Sequence, residues 1–247
     1  MTGCTNLFLN LMLSPPPLDS ELVTGKRILR IAKEVGIDHV VYTSSVYTTH
    51  MAELKSMQDG SIVWWTTNAK RLLEEEVKKA CGFEQRWTIL RPGFFMQNFV
   101  GASAGFMYAD FLKSGVWVTG IPAETPIPLI DTEDIGRFAA KAFLDPDRFP
   151  QEVDLASEYR TPGEVVEALR RASGKEMRVE VLEGKELEEA GKKDVFVDAQ
   201  KVIGDLGRVV DLDVVRGYGV PMSTFEEFLV REREAVDATY GQLPAKK

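Results

Sequence analysis

Residues 6–13, NLFLNLML, form an apolar run that stops at SPPPLDSE (14–21), and the reading of that run decides the fold. Consecutive prolines neither donate to a ladder nor continue a helix, so the run reads as a short buried strand ending there. It does not read as a secretory signal, because no basic residue precedes it, Asn10 interrupts it and no small-residue cleavage site follows. It is also far shorter than the roughly 20 residues that cross a bilayer.

Outward from this run, strands and helices alternate. GKRILRIAKEV (25–35) sets Ile28, Leu29, Ile31 and Ala32 on one helical face, and Gly36 suits a left-handed cap. HVVYTSS (39–45) is a β-branched run expected to be buried on both faces. A charged loop (51–60) leads to a helix over 67–80 closed by Gly82, then to the strand WTILRP (87–92). FFMQNFVGASAGFMYADFLKSG (94–115) predicts one long helix ending before Gly115, and Gly101 and Gly105 within it predict close helix packing at most. VWVTG (116–120) and IPLID (127–131) read as strands. TEDI (132–135) opens a helix reaching about Leu144, with Asp131, Glu133 and Asp134 complementing its positive end.

Past residue 150 the elements become shorter and more charged. EVDLAS (152–157) and MRVEVLE (177–183) read as strands. TPGEVVEALRRASGK (161–175) carries a capping box from Thr161 and Glu164, with Pro162 at the first helical position and Gly174 at the end. A lysine- and glutamate-rich helix follows. STFEEFLVREREAV (223–236) predicts a second capping box from Ser223 and Glu226, with REREA (231–235) as a solvated face. The alternation predicts an α/β fold, with a parallel doubly wound sheet over 1–150 and a smaller α+β part over 151–247.

Composition bounds the function. A chain of 247 residues with 44% hydrophobic and 28% charged residues is neither disordered nor fibrous. Asp+Glu outnumber Lys+Arg 38 to 30, for a net charge of −8, which disfavours nucleic acid and anionic membranes as partners. Cys4 and Cys81 cannot form a disulfide framework, and with only His39 and His50 beside them no zinc spacing exists. A reducing, cytoplasmic setting is the simple expectation.

Four phrases, GKRILRIAKEVGIDHVVYTSS (25–45), AKRLLEEEVKKACGFEQRWTILRPGFFMQNF (69–99), PIPLIDTEDIGRFAAKAFLDP (126–146) and DLASEYRTPGEVVEALRRASGK (154–175), together resemble the NmrA-like family of atypical short-chain dehydrogenase/reductase proteins. The resemblance implies a Rossmann-type domain for NADP or NAD with a substrate-binding C-terminal part, to whose cleft residues 94–130 contribute. Members include reductases and dinucleotide-binding regulators. The family opens with a strand, a glycine-rich pyrophosphate loop and a helix. No GxGxxG occurs here, and TGCT (2–5) precedes a strand rather than a helix. Aligned on the four phrases, residues 6–13 fall on the family's fourth strand, so the sheet is expected to be an N-terminally truncated Rossmann sheet. Such an edge calls for more chain, a rearranged N-terminus, or a homo-oligomer or protein partner laid over residues 6–13.

The resemblance assigns roles to particular residues. Ser44 and Ser45, at a strand's carboxyl end, would orient a substrate and a cofactor; the alternative is hydroxyls satisfying backbone groups. Lys70 sits at the family's lysine, which holds the nicotinamide ribose; otherwise it is a solvated helix residue. The partner tyrosine one turn earlier is replaced by Thr66, leaving Tyr47 as the substitute acid. Pro92, Gly93 and Phe94 would line the cofactor, with Phe95, Met96 and Trp65 against the substrate and Trp64 beside it. The same residues are equally a tight turn and core aromatics. The expected function is hydride transfer between NADP(H) and a small apolar organic substrate. The alternatives are a non-catalytic regulator binding another protein, or a non-redox isomerase or cyclase.

Overall fold

The computed structural model describes residues 3–12, 20–81 and 86–245. The chain begins with β1 (Asn6–Leu9), α1 (Ser20–Glu34), β2 (His39–Thr43), α2 (Ile62–Cys81) and β3 (Arg86–Pro92). Next come β4 (Phe94–Phe95), α3 (Gly101–Met107), α4 (Ala109–Ser114), β5 (Val116–Thr119), β6 (Ile127–Ile130) and α5 (Thr132–Leu144). The remainder is β7 (Glu152–Leu155), β8 (Glu158–Arg160), α6 (Pro162–Ser173), β9 (Arg178–Val181), α7 (Gly184–Lys193), α8 (Val195–Leu206), α9 (Leu212–Gly217), α10 (Phe225–Arg231) and α11 (Arg233–Tyr240).

The main sheet runs β1-β2-β3-β7, every pair parallel. Alternation along β2 covers both faces. Val40 and Tyr42 pack with Leu29 of α1 and Leu73 and Val77 of α2, whereas Val41 packs with Ile135 and Phe138 of α5. Each such buried side chain contributes roughly 1.5–3 kcal/mol. Gly25 lets α1 and α2 close together, since a Cβ there would lie 2.5 Å from Leu73 Cδ1. A second core around Phe99, Trp117, Phe225 and Phe228 joins residues 96–129 to residues 165–243.

The pairing crosses residue 150. β7 completes the main sheet, β5 pairs in parallel with β9, and β4-β6-β8 form a small mixed sheet. Among the described residues no helix is long and apolar enough to cross a membrane. Cys4 is exposed, Cys81 is buried and both are free.

Several expectations need correction. The strand expected over 6–13 is four residues long, and only Leu9 of it is buried, because β1 is an edge with β2 on one side. Leu13, the prolines and Gly82 lie outside the described residues. α1 begins at Ser20 and α2 at Ile62, earlier than expected; the Ser61 hydroxyl accepts from Trp64 N near the start of α2. The helix expected over 94–114 is broken into β4, a 3-10 turn, α3 and α4. Val100 is extended, Gly101 has φ +66° and Tyr108 leaves helical geometry. Gly115 does close α4 in the left-handed region. Gly105 makes no close packing, as nothing lies within 4 Å of its Cβ position. The second capping box is Thr224–Glu227, not Ser223–Glu226, because the Ser223 N–H donates to Asp134 and Glu226 accepts from Arg160 and Arg171. REREA is not wholly solvated: Arg231 turns inward to Asp131.

Candidate functional site

β2 and β3 deliver their carboxyl ends to the start of α2 and the turn after β3, where a parallel sheet presents its crevice. Ser44 N extends the ladder by donating to Leu90 O at 2.7 Å. Ser45 then caps a 3-10 turn over Val46–Thr49, its hydroxyl accepting from Tyr47 N. That turn presents Tyr47.

Tyr47 is half-buried where the two cores meet, packed against both. Among the described residues its hydroxyl makes no hydrogen bond, and burial pushes its pKa upward, so it carries its proton at neutral pH. The neighbouring Ser44 hydroxyl gives its one proton to Glu74 Oε1 at 2.5 Å. Thr48 Oγ1 donates to the same oxygen at 2.7 Å, and Arg91 donates from Nε and Nη2 to both Glu74 oxygens. Arg91 also contacts Glu152, and both Glu74 and Arg91 are buried. Sequence reasoning missed this pair, although a glutamate four residues after Lys70 and an arginine before Pro92 were its traces.

Lys70 is not solvated. Its ammonium donates 2.8 Å to Glu21 Oε1 and 3.3 Å to Leu11 O. The Glu21 side chain is 0% exposed; Tyr42 also donates to Oε1, while Oε2 is buried without a partner among the described residues. Thr66 hydrogen-bonds back to Val63 O at 2.9 Å, so its hydroxyl is tied into the helix.

After β3, Gly93 N donates to Leu155 O at 2.8 Å. A Cβ on Gly93 would lie 2.4 Å from Pro128 O, so the close approach its size permits is to β6. Phe94 and Phe95 are half-buried in β4, and Pro92 is buried at the end of β3. Met96 is 0% exposed and belongs to the core. Trp65 is 37% exposed and meets Trp64 edge to face at 5.0 Å.

The acids of 131–134 serve the start of α5. Asp131 is its N-cap, accepting from Glu133 N, Gln97 Nε2 and Arg231 Nη1. Burial works to raise its pKa, but these donors and the Arg231 charge win, holding the carboxyl below its usual range. Asp134 accepts from Arg137 and from Ser223 N, and burial dominates there, pushing its pKa up to about 6.

Thus the structure gathers Tyr47, Ser45 and the 92–95 turn at one edge, with Lys70 and Glu21 beside α2. Ser44 and Met96 are committed to the interior.

The chain matches the NmrA-like family over residues 3–229. It is 26% identical over 224 residues to an NAD(P)H azoreductase of Xenophilus azovorans, covering 86% of this chain and 71% of that protein. Its fold is similar to NmrA, a negative transcriptional regulator in complex with NAD (TM-score 0.68, 19% identity, 97% of this chain and 76% of that one). It is also similar to an NADPH-dependent quinone oxidoreductase of Escherichia coli complexed with NADPH (TM-score 0.65, 19% identity, 93% and 77%). A triphenylmethane reductase of Citrobacter complexed with NADP(H) gives TM-score 0.65 at 14% identity, over 93% and 77%. These structural likenesses establish a Rossmann-like fold.

Proposed function

The chain belongs to the NmrA-like family, and from that premise we propose that it is an oxidoreductase using NADP(H) on a small, flat, apolar organic substrate. The observation that carries this reading is Tyr47, on the turn that follows the carboxyl end of β2, its hydroxyl protonated and unengaged among the described residues. The relatives named above that act on azo, quinone and dye compounds point the same way.

The described residues fit the ribose end of a nicotinamide dinucleotide and not its pyrophosphate. Lys70 keeps a third donor proton, and Glu21 Oε2 is a buried acceptor without a partner among the described residues, so the two suit a sugar hydroxyl. The sequence between β1 and α1 (10–19) holds none of the glycines of a pyrophosphate loop. Once bound, a reduced nicotinamide would supply hydride. Lys70 and Glu21 would hold the ribose, Tyr47 would give its proton to the reduced substrate, and Ser45 would fix the Tyr47 turn. Phe94 and Phe95 would offer apolar surface that excludes water.

A non-catalytic, dinucleotide-sensing role is the second reading. It is favoured by Thr66, whose hydroxyl is bound to Val63 O where the short-chain dehydrogenase pattern places a tyrosine.

The test is calorimetric titration with NADPH and NADH, followed by NADPH oxidation with menadione as acceptor. Binding that weakens in Lys70→Ala, with turnover, supports the enzyme. Binding without turnover of any quinone, azo or dye acceptor supports the second reading. A Kd above about 1 mM for both nucleotides rejects both.

A further inference from the structure

Between the α3–α4–β5 segment and the α7–α8 pair lies a cavity of about 550 Å³, within the size range that encloses a small molecule. None of Ser44, Ser45, Tyr47, Lys70 or the 92–95 turn lines it. Five of its seventeen lining residues are aromatic. Phe106 and Phe196 meet edge to face at 5.1 Å where α3 approaches α8, and Trp117 meets Tyr108 at 5.8 Å. Phe106 is nevertheless 75% exposed, a large aromatic surface left to water.

One polar side chain in this lining is held in a fixed orientation. Gln200 is 5% exposed, and its Oε1 accepts from Thr119 Oγ1 at 2.6 Å and Gly120 N at 3.3 Å. Those donors fix which end of the amide is oxygen, leaving Nε2 with no partner among the described residues. The Trp117 indole N–H and the Tyr108 hydroxyl, on two other lining residues, are also buried without partners among the described residues. Only Gln200 Nε2 can serve an occupant, since the Trp117 and Tyr108 atoms are sealed from the cavity; with its carbonyl end already engaged, that N–H₂ is left to donate to an acceptor supplied from outside the chain. Charge selects against an anion, because Asp110 and Asp194 outnumber Lys193 in the lining.

We propose that this cavity binds an uncharged planar aromatic molecule bearing a carbonyl-type oxygen. The oxygen accepts from Gln200 Nε2 while the rings lie against Phe106 and Phe196. This site is independent of the redox reading and needs no nucleotide.

The test uses two probes of similar shape, 2-acetylnaphthalene and 2-ethylnaphthalene, titrated calorimetrically into the full chain, with 2-naphthoate as the anionic control. The ketone should bind about tenfold more tightly than the hydrocarbon, the worth of one buried hydrogen bond, and the carboxylate more weakly than the ketone. Gln200→Glu keeps an acceptor for Thr119 and Gly120 but removes the donor, and should abolish the ketone's advantage. Ala190→Trp, which fills the cavity from α7 without touching the Gln200 bonds, should abolish binding of both probes. Failure of wild type to bind the ketone, equal affinity for ketone and hydrocarbon, or binding that survives Ala190→Trp overturns the proposal. If Gln200→Glu does not fold, the probe pair and Ala190→Trp decide the matter.

Discussion

Arg91 and Glu74 lie side by side beneath the carboxyl edge of the sheet, Nη2 to Oε2 at 2.6 Å, with side chains only 5% and 7% exposed. Glu74 also accepts from Ser44 and Thr48, so one carboxylate ties together β3, α2 and the 3-10 turn that presents Tyr47. Arg91→Met should leave that carboxylate without its cation, costing about 3–5 kcal/mol in stability. Chemical denaturation measures this, and a cost under about 1 kcal/mol would show that water reaches the pair.

Tyr47→Phe removes a hydroxyl with no partner among the described residues, so stability should change by less than about 0.5 kcal/mol. On the proposed reading, turnover should fall about 10²–10⁴-fold while NADPH affinity is kept. Steady-state kinetics beside a binding titration separates the two. An undiminished kcat would remove Tyr47 from the chemistry.

Gly93→Ala should destabilise the fold by about 1–3 kcal/mol, because the new methyl meets a backbone oxygen that cannot swing aside. The clash is with Pro128 O, 2.4 Å from the ideal Cβ position. Thermal melts of the variant are sufficient; an unchanged Tm would mean that β4 and β6 separate freely.

Asp134 gives a pH signature. Its native pKa of about 6 exceeds the value near 3.9 of an unfolded chain. Its contribution therefore favours the native state fully below the lower value and is lost as pH rises through the upper one. Asp134→Asn cannot titrate. Wild type should thus gain about 2–3 kcal/mol relative to the variant between pH 7 and pH 4. Urea curves across that range check the difference, and a flat difference would mean an ordinary carboxyl.

Local signals in the sequence carried most of the architecture. Thr161, Pro162, Glu164 and Gly174 delimit α6 as their types require, Asp131 opens α5, and HVVYT is buried on both faces. The breaks came from elsewhere: the 94–114 segment is apolar enough for a helix, yet Tyr108 and Gly101 bend it to fill the second core. Side-chain commitments were the least legible. Lys70 meets Glu21 across 49 positions and Arg91 meets Glu74 across 17, and no local pattern encodes such meetings. The resemblance set Gly93 beside the cofactor, and only the folded chain shows that its missing side chain makes room for Pro128.

The pairing of β5 with β9, while β7 closes the main sheet, interleaves the early and late halves of the chain. Excising the C-terminal portion at residue 150 would strip β3 of its outer neighbour and orphan β5. Transplanting it onto another scaffold would likewise part β7 and β9 from the strands they pair with.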